Sequence, residues 1–162
     1  MLHSNINKLM STLLILTVSI LITGTAYSQS GSVSEEKSLY ERLGGLEGIS
    51  LVVSDFVDVF IQDQVIMSNP RVKERKTPES APYIKYQVTT MVCQATGGPC
   101  EYTGLDMREA HKGLNVSDSE WDRMVEIFAE TLAKHNVPER ETQELFGILG
   151  PTKDDIVVTG SR

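Results

Sequence analysis

LYERLGGLEGISLVVSDFVDVF, Leu39 to Phe60, is the stretch whose reading decides the fold. Ile49, Val52, Val53, Phe56, Val57 and Phe60 recur at the three- and four-residue spacing of one helix face. Asp55, Asp58 and Gln62 fall off that face. The spacing predicts a long helix ending near Asp63. Upstream, Ser38 to Leu43 reads as a short helix. The pair Gly44-Gly45 is the stop and sharp turn between the two.

The pattern continues toward the C-terminus. Ser68, Asn69 and Pro70 read as a turn, and Arg71 to Lys76 as a short charged stretch. A second helix is predicted from about Pro82 to Gln94, because proline suits a first turn. Ile84, Val88, Met91, Val92 and Ala95 form its apolar face. Tyr83, Gln87, Thr90 and Gln94 form a second stripe about a third of a turn away, able to reach a cavity at the core's edge. Gly97-Gly98-Pro99 ends this helix, and the chain is turn-rich through Gly104. Asp106 to Leu114 reads as a short helix. Ser117 and Glu120 have the spacing of a capping box, with Trp121, Met124, Val125, Phe128 and Leu132 on one face behind it. Pro138 opens a last helix, with Leu145, Ile148 and Leu149 inward, and Gly150-Pro151 stops it. Nothing reads as a sheet, although Asp155 to Thr159 can extend locally. The fold class is therefore all-α.

Outward in the other direction, Lys8 precedes the apolar run Leu9 to Ile22, and Ala26 and Ser28 follow it. A basic start, a short apolar core and a small-x-small end describe a secretory signal peptide over 1–28. The run is short for a bilayer span of roughly 20 residues. Residues 29–37 are polar and Ser-rich, a flexible lead-in. The folded domain is expected over 38–150, followed by a disordered tail over 151–162. Export to a periplasm is expected, with membrane contact only through the signal peptide. The formal net charge of −7 disfavours nucleic acid as a partner. Cys93 and Cys100 are the two cysteines. In an oxidising compartment they can join, and they can equally be two idle thiols.

Candidate chemistry is sparse. Beyond the leader there are two histidines, His111 and His135, and no Cys-x-x-Cys. A zinc site needs three or four protein ligands, and two distant histidines with two cysteines are a weak candidate for one. No nucleophile elbow, phosphate loop or dinucleotide fingerprint appears. One metal chemistry needs a single side chain: haem iron is held by the porphyrin, and one imidazole completes its proximal side. His111 sits in AHKGL on a short helix beside a long apolar one. On residues alone its plainer reading is a satisfied surface histidine. His135 stands at a helix C-terminus, where a partly cationic ring favours the dipole.

Several stretches together resemble the group 1 truncated haemoglobins. They are LYERLGG (Leu39 to Gly45), VVSDFV (Val52 to Val57), Gln87, GGP with YTG (Gly97 to Gly104) and MREAHKGL (Met107 to Leu114). Their order and spacing match the family from about Leu39 to Leu149. The resemblance implies a two-over-two α-helical sandwich. It implies non-covalent haem b with His111 as the proximal ligand. Its apolar wall is expected from Phe56, Phe60, Val88, Met91, Leu105, Met107, Leu114, Val116 and Phe128. It implies reversible binding of dioxygen, nitric oxide and carbon monoxide, with an unidentified reductase as partner.

The distal side departs from the family pattern. Val57 stands where the family usually carries a tyrosine that donates to bound dioxygen. Met67, Ser68, Asn69 and Pro70 stand where it usually carries a phenylalanine pair. Gln87 fits the family's distal glutamine, and Tyr83 and Tyr86 are the other candidate donors. Two other readings stay open: a redox or gas-sensor module in which a distal side chain ligates iron, and a haem-free interaction domain of the same fold. No catalytic residue is assigned, and dioxygenase or peroxidase-like turnover has no residue to carry it.

Overall fold

A computed structural model describes residues 36–158. The expected signal peptide and nearly all of the lead-in lie outside the described residues. Within them the chain is helical, in the order α1 (Leu39–Arg42), α2 (Gly45–Phe60), α3 (Gln64–Ser68), α4 (Pro70–Glu74), α5 (Ser80–Ala95), α6 (Met107–His111), α7 (Asp118–Lys134), α8 (Glu139–Leu149) and α9 (Lys153–Ile156). No strand occurs among the described residues.

Local chemistry sets these boundaries. Ser38 caps α1 in a full capping box with Glu41, and Ser117 does the same for α7 with Glu120. Gly44 turns the chain at φ +85°, a left-handed conformation that favours glycine. Gly48 lets α2 pass close to the preceding turn: a Cβ there would meet the Leu43 carbonyl oxygen at 2.1 Å.

α2 buries Ile49, Val53, Phe56 and Val57 and packs on α5 and α7. An aromatic chain crosses the molecule. Phe56 lies 5.6 Å from Phe60 and 5.3 Å from Phe128, and Phe128 lies 5.7 Å from Phe146 of α8, the last two edge to face. Arg42 ties α1 to α8 through Glu141 and Glu144. Glu141 is buried, so losing the guanidinium would leave a buried carboxylate uncompensated.

Three expectations are corrected. Residues 64–74 are two one-turn helices rather than a turn and a charged stretch. Asp63 accepts from the amides of Val65 and Ile66, and Asn69 from those of Arg71 and Val72, with Pro70 in the first turn. Ile148 is exposed, not inward. The tail expected to be disordered from 151 is ordered through Val158: a 3-10 turn over Gly150–Thr152 leads into α9, and Val157 bridges Val116 in parallel. Its apolar positions are too few to give a periodic signal, and its partners lie far away in the chain.

Candidate functional site

A cavity of about 500 Å³ opens between α2, α5, α6 and α7. That is ample for a small-molecule or cofactor site. All nine apolar residues expected at the wall line it: Phe56 and Phe60 from α2, Val88 and Met91 from α5, Leu105, Met107, Leu114 and Val116 from the α6 region, and Phe128 from α7. Ile66, Met67, Ile84, Trp121, Met124 and Leu149 extend the same surface.

His111 is the imidazole in this wall. It ends α6, which Asp106 caps from its N-terminal side by accepting from the Glu109 amide. His111 Nδ1 lies 2.8 Å from the Met107 carbonyl oxygen. A carbonyl only accepts, so Nδ1 carries the proton and donates, and Nε2 keeps its lone pair. Burial pushes the ring's pKa below its ordinary value, against the opposing pull of the Met107 carbonyl and with help from nearby Arg75. The ring is thus neutral at pH 7, the state a metal needs.

A five-residue helix is not stable alone. α4 and the residues flanking it hold this one by its C-terminal carbonyls. Arg75 donates to Ala110 O and Lys112 O at 3.0 Å, Arg71 to Gly113 O at 3.0 Å, and the Asn69 amide to Leu114 O at 3.0 Å. The charged stretch Arg71 to Lys76 therefore has a local purpose that its sequence did not reveal. Arg75 and Lys76 also line the cavity, as positive charge in a largely apolar surface.

The polar side is built on α5. Gln87 lines the cavity, and its Oε1 is buried with no hydrogen-bond partner. Such an orphan costs about 1–3 kcal/mol, which a polar ligand would return. Tyr83 also lines the cavity but is 59% exposed. Two expected distal residues do not belong to the lining. Tyr86 is 61% exposed and turned away from it. Val57 is fully buried among the core residues and is not part of the cavity wall.

Tyr102 lines the cavity and was missed as a site residue, although it sits in the YTG stretch. Its hydroxyl donates to Leu105 O at 2.7 Å, and burial, with Tyr83 and Asp106 nearby, raises its pKa. Gly104 leaves room where Tyr102 and Gln87 converge: a Cβ there would lie 2.4 Å from the Tyr102 hydroxyl and 2.6 Å from Gln87 Oε1. The loop carrying Tyr102 and Gly104 is tied to α5 by a Cys93–Cys100 disulfide, with Cα atoms 5.8 Å apart. His135 lies elsewhere and pairs with Asp55 at 2.9 Å.

Residues 38–158 match the family model for bacterial-like globins. The chain belongs to that family. Among its relatives, the group 1 truncated haemoglobin of Tetrahymena pyriformis is 27% identical over 125 residues, covering 77% of this chain and 98% of that one. The crystal structure of the truncated haemoglobin from the same organism in its Fe(III) form superposes with a TM-score of 0.61, at 27% identity over 75% of this chain and 98% of that one. The two-over-two haemoglobin of Synechococcus sp. PCC 7002, solved in the cyanomet state with covalently attached haem, gives a TM-score of 0.63 at 25% identity, over 75% and 98%.

The resemblance to the group 1 truncated haemoglobins read from sequence therefore holds, and with it the two-over-two helical sandwich. The residues of this globin fit haem on their own terms. The cavity is apolar and of adequate size, one neutral imidazole with a free nitrogen stands in its wall, and an unpaired amide oxygen waits on α5.

Proposed function

We propose that this globin holds haem b non-covalently, that His111 Nε2 is the protein atom that would hold its iron, and that it binds dioxygen and nitric oxide reversibly. When bound, haem supplies an iron centre that takes up a diatomic gas. The single observation that carries the reading is the His111 ring, fixed by the Met107 carbonyl and left neutral in the wall of the cavity.

The chain's own residues do the rest. The Met107 carbonyl orients the imidazole and makes it more basic, as outer partners of ligating histidines do. Phe56, Phe60, Met91 and Phe128 exclude water from the cavity. Arg75 and Lys76 offer cationic partners for the carboxylates of the porphyrin. Gln87 supplies the polar group for a bound gas, and a half-turn of its amide presents Nε2–H as the donor. A reductase that keeps the iron ferrous is the partner this reading requires.

Ferrous protein is expected to give new Soret bands on adding carbon monoxide or oxygen. Gln87→Leu should speed oxygen dissociation about ten- to a hundredfold, the effect of losing one hydrogen bond worth about 1–3 kcal/mol, and leave carbon monoxide nearly unchanged. Equal oxygen dissociation from both proteins would remove Gln87 from the distal role. Absent spectral change with either gas would overturn the function.

We further propose that the protein is exported and periplasmic. The Cys93–Cys100 disulfide supports this, since such bonds persist in oxidising compartments, as does the leader-like N-terminal sequence. Among the described residues no helix is long and apolar enough to cross a membrane. N-terminal sequencing of protein recovered from a periplasmic extract should start at Gln29; recovery with the cytosolic fraction, beginning at Met1, would contradict export.

A further inference from the structure

The segment after Leu149 makes contacts that gas binding at haem does not by itself explain. Lys153 reaches Asp118 at 2.9 Å and Asp122 at 3.6 Å on α7. Asp155 pairs with Arg108 on α6. The Val158 amide donates to Val116 O at 3.0 Å, beside the Val116–Val157 bridge. Thr152 and Ile156 line the same cavity as His111. α9 thus packs on the one-turn helix that carries the ligand.

We propose that residues 150–158 form a strap that closes the wall of the haem cavity beside His111 and holds α6 in place. Arg108 and Asp155 are its positioning residues, and Ile156 is its contribution to the wall. The proposal rests on the haem reading above. Magnitudes assign the parts. The Arg108–Asp155 pair is largely exposed and stabilises little by itself, so its value is directional: it ties α9 to the helix bearing the ligand. Ile156 is half-buried against the cavity, and covering its apolar surface stabilises the strap more than the ion pair does. Arg75 grips the carbonyl end of α6 and the strap grips Arg108 within it, so this single turn is held at two places.

The test compares wild type with a chain ending at Leu149, Ile156→Ser and Arg108→Gln, all loaded with haem. Haem loss to excess haem-scavenging apoglobin and the iron–histidine stretching band of the ferrous protein are both read. The chain ending at Leu149 should lose haem about tenfold faster than wild type, and Ile156→Ser should fall between. The iron–histidine band should shift or broaden in Arg108→Gln and in the shortened chain, a change that a loss of general stability alone would not produce. Haem loss within about twofold of wild type, with the band unmoved in every variant, overturns the strap. Should the shortened chain not fold, Ile156→Ser and Arg108→Gln decide by the same two readings. Wild type that takes up no haem would overturn the globin reading and the strap together, whereas loaded wild type with indifferent variants overturns the strap alone.

Discussion

Single side chains decide the character of this site more than its shape does. Val57, where the family resemblance leads one to expect a tyrosine, is wholly enclosed in the core. Val57→Tyr should therefore overpack rather than restore a distal donor. Its expected cost is about 1–3 kcal/mol in urea unfolding of the apo-protein. A tyrosine variant as stable as wild type would mean that the core opens to the cavity there. Most of the cavity wall was legible only through the family resemblance: helical spacing gave the apolar stripes of α2, α5 and α7, but not that they face a cavity, and Leu105 and Val116 lie in loops where no period speaks. The polar residues were less legible. Spacing put Gln87 and Tyr83 on one stripe of α5 and left Tyr86 off it, but only the structure separates the enclosed Gln87 amide from the exposed Tyr83 phenol. Tyr102 lies in a loop, where no period predicts direction.

Helices followed the same logic. The long ones, α2, α5 and α7, were readable from their stripes, and the α7 capping box from two residues. Of the short ones, α1 and α6 were read, whereas α3, α4 and α9 were not. α3 and α4 are created by side-chain caps, Asp63 and Asn69, whose effect is local and leaves no hydrophobic period. Two substitutions test this level. Ser117→Ala should lower stability by about 1 kcal/mol, the usual value of an N-cap. Gly48→Ala should cost more, about 1–3 kcal/mol, because its Cβ would meet backbone at Leu43 rather than a side chain that can move aside. Urea midpoints of the two variants rank the effects. The reverse order would mean that the α1–α2 turn yields more easily than its geometry implies.

The whole molecule joins these parts through a disulfide, charge pairs and one cavity. The Cys93–Cys100 loop is short, with a separation of 7 residues, and loop-closure entropy assigns it about 2–3 kcal/mol. Cys93→Ser with Cys100→Ser should lower thermal stability accordingly, and no change would mean that the loop is ordered without its bond. Acid should weaken the fold as well. Burial works to raise the Asp63 pKa, but Arg123 and the amides of Ile66 and Val65 hold it below the usual carboxylate range. Lys134, then His135, lower that of Asp55. Depressed folded values stabilise the protein above the unfolded pKa, and this contribution is lost as pH falls through the folded one. The apo-protein's urea midpoint should thus decline below about pH 4. Arg123→Gln should flatten that decline; an unchanged slope would exclude the Asp63 pair as its source. Most of the packed elements converge on a cavity with one imidazole in its wall. Hemin titration of wild type and His111→Ala, followed in the Soret region, measures that convergence directly. Wild type should bind one equivalent with a histidine-ligated spectrum, and the variant should lose that spectrum and regain it with added imidazole. Identical spectra from both proteins would contradict the account.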